Sequence, residues 1–455
     1  MSTYQPQHSL RKAAGRMLRG LKRRLHPPIN PPLSLLPTPW QPLLPGPRTN
    51  DACPKLLVLS HMYPHPQQPF LGPFVQDQVK ALRQYLNIDA RVLVGRPYWL
   101  GGKNPMALWR QSQQYFQFHD TCAWFSLDGV PVKYLPYHVF GPFWTHGWAY
   151  RASLGRGIER LYEVFPFTII HAHTAYLDGS AGLAIAQRYR VPFLITEHTN
   201  PFSFLTNHPI IKRWTRRSLH GAEKVIAVSV KQQRDVAMHM ADPYRERVLV
   251  LPNGVDVELF RPPAMWRPDP RMPRILFVGH FAPYKNLPLL LEAFSLVVRT
   301  LPEARLCLIG GAESTRQESD LRHLVARKGL KEAVTFLGPQ PHAVIARIMR
   351  EETDLLVLSS QSETFGCVVT EALACGKPVV STRSGGPEDI VTADFLGELC
   401  VNNHPEALAR AIIKVATNIH TYAPRRIRRY VEERFSYQSL AQALDTIYHQ
   451  VCEAA

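Results

Sequence analysis

The 455-residue sequence lacks the features that would place it inside a membrane or in an oxidising compartment. No apolar run approaches the roughly 20 residues needed to cross a bilayer. The first apolar residues are interleaved with arginines rather than gathered into a secretory signal. The seven cysteines are scattered, odd in number and form no C-x-x-C pair. They predict reduced thiols in the cytosol, with neither a disulfide framework nor a zinc site.

Motifs of several ligand-binding classes are also missing. There is no Walker phosphate loop, no G-x-G-x-x-G that follows a strand, and no DNA- or RNA-binding motif. The net charge of +17 therefore does not indicate a nucleic-acid partner. A basic surface also attracts anionic lipids and phosphorylated ligands, and charge alone does not choose between them.

Residues 1–50 carry eight Lys or Arg and no Asp or Glu. Between Leu10 and Leu25, apolar residues recur at helical spacing opposite six basic residues, which is typical of a helix lying in a membrane interface. A disordered basic tail and an organelle transit peptide are the alternatives. Nine prolines from Pro27 to Pro47 then predict a stiff spacer. We expect a cytoplasmic protein, peripheral on the inner face of an anionic membrane. A second membrane contact is predicted at Lys212, Arg213, Trp214, Arg216 and Arg217.

The length of the chain predicts two domains. Apolar strands alternate with amphipathic stretches from Lys55 onwards, stop over the Pro-rich Arg261–Pro273, and then resume. This alternation predicts an α/β protein with two parallel sheets, each covered on both faces. We predict Rossmann-like domains at residues 51–262 and 263–436, and a final helix at 437–455 that returns to the first domain. The predicted strands are Lys55–Ser60, Arg91–Val94, Thr168–His171, Phe193–Thr196, Val225–Val228, Val248–Leu251, Arg274–Val278, Arg305–Ile309, Val334–Leu337, Asp354–Leu358 and Pro378–Ser381.

The densest chemical signal runs from Ser362 to Val391. It follows a predicted strand, so it occupies the carboxyl end of a parallel sheet, where open α/β sheets bind ligands. Phe365 and Gly366 are predicted to begin the next helix, whose free N–H groups favour a phosphate. Glu363 precedes that helix and Glu371 lies about two turns into it, so the two carboxylates can hold hydroxyls of different parts of one ligand.

The spacing of these residues, with A-L-A-x-G-x-P-V-V and G-G-x-x-E, resembles the signature of glycosyltransferase family 4. Members are retaining enzymes of the GT-B fold, in which two Rossmann-like domains face each other across a cleft. The resemblance implies that Glu371 binds the ribose hydroxyls of a nucleotide. It also implies that Glu363 contacts the donor sugar, together with the backbone at Phe365 and Gly366. Glu388 ends the pattern, and the resemblance implies no clear role for it.

Further matches cover most of the chain from Lys55 to Ile390. The motifs L-P-N-G-V-D (251–256) and L-I-G-G (308–311) resemble family segments. The stretch from Phe277 to Lys285 resembles the one that supplies an arginine and a lysine to the donor diphosphate. Lys285 matches, but His280 stands where an arginine is common, and Arg383 is a candidate to compensate. Such enzymes use no metal cofactor, so fixed cations and helix dipoles must stabilise the leaving diphosphate.

The first domain contributes a loop and two histidine clusters. The loop from Met62 to Val75 resembles that of members that build surface polysaccharides, and Gly72 would let the backbone approach the donor phosphates. The clusters H-A-H (171–173) and T-E-H-T (196–199) close two adjacent strands, which places both at the ligand-binding edge. The resemblance assigns His198 to the cleft near the reacting sugar. Metal binding by these histidines is disfavoured, because no carboxylate or cysteine completes a site.

The resemblance implies transfer of a hexose from a nucleotide-diphosphate sugar to an acceptor hydroxyl with retention. A phosphate oxygen of the leaving diphosphate takes the acceptor proton, and the protein supplies orientation, cations and closure. His198, Lys285 and Glu363 would act at the reacting centre, for surface-polysaccharide or glycolipid synthesis from a carbohydrate or lipid-linked acceptor. The alternatives are a sugar-nucleotide epimerase or phosphorylase of the same fold, and an inactive relative that serves as a binding subunit.

Overall fold

The computed structural model places most of the chain between Pro54 and Glu453. The described ranges are 54–65, 71–86, 88–99, 105–121, 123–139, 141–312 and 314–453. The predicted amphipathic segment and spacer of residues 1–50 lie outside them. The described residues divide into two compact units: unit 1 comprises those from 54 to 226, from 237 to 249 and from 445 to 453, and unit 2 comprises those from 227 to 236 and from 250 to 444.

Unit 1 is built on an eight-stranded sheet in the order β3-β4-β2-β1-β5-β6-β7-β8. The strands are β1 (Leu56–Ser60), β2 (Ala90–Trp99), β3 (Phe125–Leu127), β4 (Val130–Val139), β5 (Ile169–His173), β6 (Phe193–Glu197), β7 (Lys224–Ala227) and β8 (Val248–Val250). β1 pairs in parallel with both β2 and β5, whereas β3 and β4 form an antiparallel hairpin. β1, β5 and β6 are buried along their whole length, as expected for strands covered on both faces of a sheet.

The order of these strands creates a topological switch point between β1 and β5. The chain leaves β1 towards β2 on one side and later reaches β5 on the other side. Ligands of open α/β sheets bind outside the carboxyl ends of the strands at such a point. The helices of unit 1 are α1 (Pro73–Leu86), α2 (Pro105–Thr121), α3 (His146–Gly155), α4 (Ile158–Val164), α5 (Leu177–Tyr189) and α6 (Pro209–Gly221).

Unit 2 contains a six-stranded sheet in the order β11-β10-β9-β12-β13-β14, and all its strand pairs are parallel. The strands are β9 (Arg274–Val278), β10 (Arg305–Ile309), β11 (Val334–Gly338), β12 (Leu355–Leu358), β13 (Val379–Thr382) and β14 (Gly397–Cys400). The helices from α7 onwards are α7 (Val230–Ala237), α8 (Leu287–Thr300), α9 (Thr315–Arg327), α10 (His342–Glu351), α11 (Cys367–Ala374), α12 (Gly386–Ile390), α13 (Pro405–Thr417), α14 (Pro424–Phe435) and α15 (Tyr437–Glu453). The switch point of this sheet lies between β9 and β12.

The Pro-rich stretch Arg261–Pro273 packs within unit 2. Trp266 Nε1 donates a hydrogen bond to Asp354 Oδ1 at 3.1 Å, and Arg274 donates to the same carboxylate. The Trp266 ring also lies 4.7 Å from Lys377 Nζ. Burial lowers the pKa of Lys377 to about 8. This cluster fixes the stretch against the amino ends of β12 and β13.

The chain enters unit 2 for residues 227–236 and again at residue 250, whereas the sequence predicted one domain boundary at 262/263. The backbone N–H of Val255 donates to the carbonyl of Phe435 at 2.7 Å, so the L-P-N-G-V-D motif packs on unit 2. Within α15, residues from Asp445 belong to unit 1, where the Tyr448 hydroxyl lies 2.8 Å from His171 Nδ1.

The predicted class, two parallel-sheet α/β domains, is confirmed. β3, β4 and β14 were not predicted. The other strands overlap their predicted positions, although β2 continues to Trp99, five residues beyond its predicted end at Val94. None of the helices in the described ranges is both long and apolar enough to cross a membrane.

Candidate functional site

In unit 2, Lys285 and Glu363 meet beside the switch point between β9 and β12. Lys285 Nζ donates to Glu363 Oε1 at 2.6 Å, and the side chains are only 14% and 8% exposed. Lys285 ends a short 3₁₀ turn after β9, and its carbonyl accepts a hydrogen bond from Ser359 Oγ at 2.8 Å. Two residues 78 positions apart are therefore joined at the sheet edge where a ligand is expected.

The charge of Lys285 is preserved in spite of its burial. Loss of hydration would lower the pKa of the ammonium group, but the charge of Glu363, its hydrogen bond and the nearby Tyr284 and Cys367 together raise the pKa above its ordinary value. Lys285 is therefore a cation at neutral pH. A fixed cation in a partly dehydrated site stabilises negative charge more strongly than one in open water.

The backbone on both sides of Glu363 is tied to the loop after β13. The N–H of Glu363 donates to the carbonyl of Ser384 at 2.8 Å, and its carbonyl accepts from the N–H of Gly386 at 3.2 Å. Ser360 Oγ donates to Glu363 Oε1 at 2.5 Å, so the carboxylate is oriented by a hydroxyl as well as by Lys285. Glu363 is thus held by both its backbone and its side chain.

Glu371 lies on α11, which begins at Cys367 rather than at Phe365 as predicted. Gly366 is the N-cap residue, with a left-handed φ of 97° that a side chain would disfavour, and buried Phe365 precedes it. Glu371 therefore lies just past the first helical turn and is 9% exposed. Its Oε1 is 3.6 Å from His342 Nε2 at the start of α10.

Glu388 caps a backbone turn. Its Oε2 accepts hydrogen bonds from the N–H groups of Ser384 at 3.1 Å and Gly385 at 2.8 Å, at the start of α12. The resemblance implied no clear role for Glu388. In the structure its carboxylate caps the start of α12, because it accepts hydrogen bonds from backbone N–H groups that precede the helix. The cap supports the same loop that holds the backbone of Glu363.

We predict that Glu388→Ala mainly affects stability. Loss of a helix cap costs about 1 kcal/mol, so the free energy of unfolding should fall by that amount in a denaturant titration. Donor affinity should change much less than in Glu371→Gln. A variant of unchanged stability that no longer binds donor would contradict the capping role.

The two other basic candidates of unit 2 are exposed. His280 lies two residues after the end of β9, beyond Gly279, and Arg383 directly follows β13. Both lie at the carboxyl edge of the sheet, on the side where Lys285 and Glu363 meet. A role of either residue at a donor diphosphate stays a prediction.

In unit 1, Gly72 immediately precedes α1. It has a φ of 64°, and a Cβ atom there would lie 2.4 Å from the carbonyl oxygen of Met62. The fold therefore requires glycine at this position for close packing of the chain after β1. Approach of this backbone to a donor phosphate stays a prediction.

The histidines of unit 1 divide into a core residue and a pair nearer the edge. His171 is fully buried, and its Nε2 lies 2.7 Å from Thr196 Oγ1. His198 Nε2 lies 3.1 Å from His173 Nδ1, and the His198 ring packs 4.4 Å from the ring of Phe74. Burial, reinforced by nearby histidines, lowers the pKa of His198 to about 3. His198 is therefore a neutral imidazole, whereas His171 is a packed core residue and does not lie at a ligand-binding edge.

Sequence reasoning missed Ser360 and His342. Ser360 is fully buried at the end of β12, and its only signal is a polar pair, Ser359-Ser360, after an apolar strand. His342 begins a helix distant in sequence from Glu371, and no motif marks it. Within the described ranges, no group of three or more His, Cys, Asp or Glu is placed to hold a metal ion.

The chain is similar to known proteins over most of its length. Residues 74–259 match the family described as Glycosyltransferase Family 4, and residues 264–434 match that described as Glycosyl transferases group 1. A D-inositol 3-phosphate glycosyltransferase of Frankia alni is 33% identical over 283 residues, which are 58% of this chain and 69% of the relative. One of Mycolicibacterium gilvum is 30% identical over 276 residues, 56% and 60% of the two chains.

Solved structures share the fold at low sequence identity. Anabaena HepE, solved in complex with UDP and glucose, has a TM-score of 0.65 at 20% identity and covers 87% of this chain and 100% of its own. Sucrose-phosphate synthase from Thermosynechococcus elongatus has a TM-score of 0.69 at 18% identity, covering 88% and 100%. The chain therefore belongs to glycosyltransferase family 4 and is a glycosyltransferase of the GT-B fold.

Proposed function

We propose that the protein is a retaining glycosyltransferase that transfers a hexose from a nucleotide-diphosphate sugar to an acceptor hydroxyl. Unit 2 holds the donor and unit 1 the acceptor. The observation that carries this proposal is the buried ion pair between Lys285 and Glu363, with Glu371 on α11, the helix that follows Glu363. A cation and two carboxylates at one sheet edge match a ligand that has a diphosphate between two sets of hydroxyls.

Each group has a separate task in this reaction. Lys285 stabilises the charge that develops on the leaving diphosphate, aided by the N-terminus of α11. Glu363 accepts hydrogen bonds from hydroxyls of the donor sugar, and Glu371 accepts them from the ribose. His198, as a neutral imidazole, can donate a hydrogen bond to a hydroxyl of the reacting sugar or accept one from it. The acceptor oxygen bonds to the anomeric carbon as the bond between that carbon and the diphosphate breaks, and a diphosphate oxygen takes the acceptor proton. No side chain forms a covalent bond with the sugar, and none is needed as a general base.

Donor binding is tested by thermal unfolding with UDP-, GDP- and ADP-hexoses. A ligand that binds only the folded protein raises its apparent stability, by about 2.7 kcal/mol at a hundredfold excess over Kd. UDP-hexoses come first, because HepE was solved with UDP and glucose. The acceptor panel comprises oligosaccharides, lipid-linked sugars and the inositol phosphate for which the bacterial relatives are named. Stabilisation by none of the three nucleotide sugars would contradict the proposal.

The proposed reaction uses no metal cofactor. We predict that EDTA leaves kcat unchanged, because Lys285 and the helix N-terminus carry the task that a divalent cation performs in other transferases. The measurement is the transfer rate in EDTA, with and without added magnesium or manganese. Inhibition by EDTA that either ion reverses would contradict the role given to Lys285.

We also propose that unit 1 binds an anionic membrane surface through α6. The helix has no acidic residue, and the side chains of Lys212, Arg213, Arg216 and Arg217 are exposed. Trp214, on the same helix, packs 5.3 Å from Trp148, which is 49% exposed. Tryptophan beside basic residues suits the interface between lipid headgroups and acyl chains. We further propose a cytoplasmic location on the inner face of the membrane, which accords with the free thiols of the described cysteines. The proposed role there is polysaccharide or glycolipid synthesis.

We predict that Arg213→Glu combined with Arg217→Glu weakens binding to anionic vesicles about tenfold or more, since each basic residue near such a surface contributes about 1 kcal/mol. The measurement is co-sedimentation with vesicles of phosphatidylglycerol and phosphatidylcholine. The matched control is Arg425→Glu with Arg429→Glu, exposed on α14.

Equal binding by the two double variants would contradict the α6 surface. A chain beginning at Asp51 measures what residues 1–50 add, and we expect it to bind less. Binding of all forms should fall at high salt, because screening shortens the reach of the charges.

A further inference from the structure

A second pair of charged side chains lies at the switch point of the unit 1 sheet. His61 directly follows β1, and its Nδ1 lies 2.7 Å from Oδ2 of Asp178, in the first turn of α5. The imidazole is 28% exposed, whereas the carboxylate is completely buried. The other ring nitrogen of His61, Nε2, has no hydrogen-bond partner among the described residues. A histidine held from behind by a buried carboxylate thus presents one nitrogen to a ligand.

Asp178 is fixed by further hydrogen bonds. Thr174 Oγ1 donates to Asp178 Oδ2 at 3.1 Å, and the hydroxyl of buried Tyr150 donates to Asp178 Oδ1. Thr174 has a φ of 118°, a region that a β-branched residue rarely occupies. Residues with backbone strain of this kind cluster at active sites, ligand clamps and switch regions. A buried carboxylate with this many fixed donors gives the His61 ring one orientation.

The surroundings of His61 favour its charged form. Burial alone would lower the pKa of the imidazole, but the charge of Asp178, its hydrogen bond and the more distant Glu197 together raise the pKa above the ordinary value. The other groups that face it are the Tyr150 hydroxyl, a neutral donor, and His198, which is itself neutral. A cationic imidazole with an outward N–H is a donor for an oxyanion.

We propose that His61, oriented by Asp178, binds an anionic oxygen of the phosphate or carboxylate class at this switch point, and that the anion belongs to the acceptor. This inference rests on the proposed function, in which unit 1 holds the acceptor. His61 is the binding residue and Asp178 is the positioning residue. Because Glu363 and Lys285 lie in the other unit, donor binding in unit 2 is measured separately.

The test follows the histidine ring signals of the full-length protein by NMR, with inorganic phosphate and with sulfate as probes. The His61 signal is identified by its loss in His61→Asn. We expect the signal to shift with both anions and to saturate, and His61→Asn to weaken phosphate binding about tenfold or more. His65→Asn is the matched control, because the His65 ring packs 5.0 Å from Tyr134 and burial lowers its pKa to about 4.

The pH dependence tests whether the charged form of His61 binds the anion. Sulfate keeps its charge as pH rises, so its affinity should be full at low pH and lost as pH passes through the raised pKa of His61. In Asp178→Asn the pKa of His61 should fall, and sulfate affinity should return only at a lower pH. If Asp178→Asn does not fold, the pH series of the unaltered protein carries the test. Sulfate affinity that is independent of pH would overturn the proposal.

Added UDP distinguishes the two sources of the anion. Phosphate binding at His61 that persists in saturating UDP assigns the anion to the acceptor, whereas displacement by UDP would assign it to the donor and overturn the acceptor site. A His61 signal that does not move with phosphate, in a protein still stabilised by a nucleotide sugar, would overturn this inference and leave the proposed function standing. Failure of every nucleotide sugar to bind would instead contradict the proposed function itself.

Discussion

Lys285→Ala should lower kcat by about a hundred- to a thousandfold, the range measured when one preorganised donor to a developing negative charge is removed. KM should change less, because charge accumulates on the diphosphate as the bond to the sugar breaks and is smaller in the ground state. The measurement is steady-state kinetics with donor varied at saturating acceptor. The substitution also leaves Glu363 buried without its partner, so a fall in melting temperature is expected as well.

Lys414→Ala is the matched control for this experiment. Lys414 Nζ also forms a 2.7 Å ion pair, with Glu398, but the lysine is 62% exposed and pairs of this kind contribute little. Kinetics like those of the unaltered protein are expected. A different result would be a kcat of Lys285→Ala within a factor of about two of the unaltered value, which is much less than the tenfold that a loss of about 1.4 kcal/mol would cause. In that case the diphosphate must be held by Arg383 or His280 instead.

Glu371→Gln should weaken donor binding about ten- to a hundredfold, the effect of losing a charged hydrogen-bond acceptor. Glutamine keeps the shape of the buried side chain, so the packing of α11 should survive. The measurement is calorimetric titration with the nucleotide sugar that gives the largest thermal stabilisation. Free nucleoside diphosphate should lose affinity by the same factor, because the proposed contact is to the ribose and not to the sugar.

Glu398→Gln serves as the control for Glu371→Gln. Glu398 lies on β14 at the surface, paired with Lys414, and its substitution should leave donor affinity unchanged. Unchanged affinity in Glu371→Gln would remove the ribose assignment. A loss seen with the nucleotide sugar but absent with the free diphosphate would move the contact from the ribose to the hexose.

The unit 2 site could be predicted from sequence because its parts are close together along the chain. Glu363, Gly366, Glu371 and Glu388 fall within one motif, and strand–loop–helix order alone places them at one sheet edge. The fold class followed from apolar strands that recur at regular intervals and are buried on both faces. Lys285 required the family resemblance, because no local pattern connects it with Glu363.

Other features depend on tertiary contacts that a sequence does not display. β4 contains Pro131 and Pro136, which argue against a central strand, yet it pairs in parallel with β2 along most of its length. The start of α11 was placed too early because Phe365 is apolar like a helical residue, whereas Gly366 takes the left-handed cap. The contact of His61 with Asp178 joins residues 117 positions apart, and a lone histidine after a strand gives no signal of it.

The most direct test of the central claim is the anomeric configuration of the sugar transferred from an α-linked nucleotide-diphosphate hexose. NMR of the product, recorded during the first turnovers with an accepted acceptor, distinguishes the α and β linkages. The account predicts an α linkage, because the acceptor attacks from the face that the diphosphate leaves and no side chain intervenes. A β-linked product would contradict retention, and with it the roles given to Lys285, Glu363 and the leaving diphosphate.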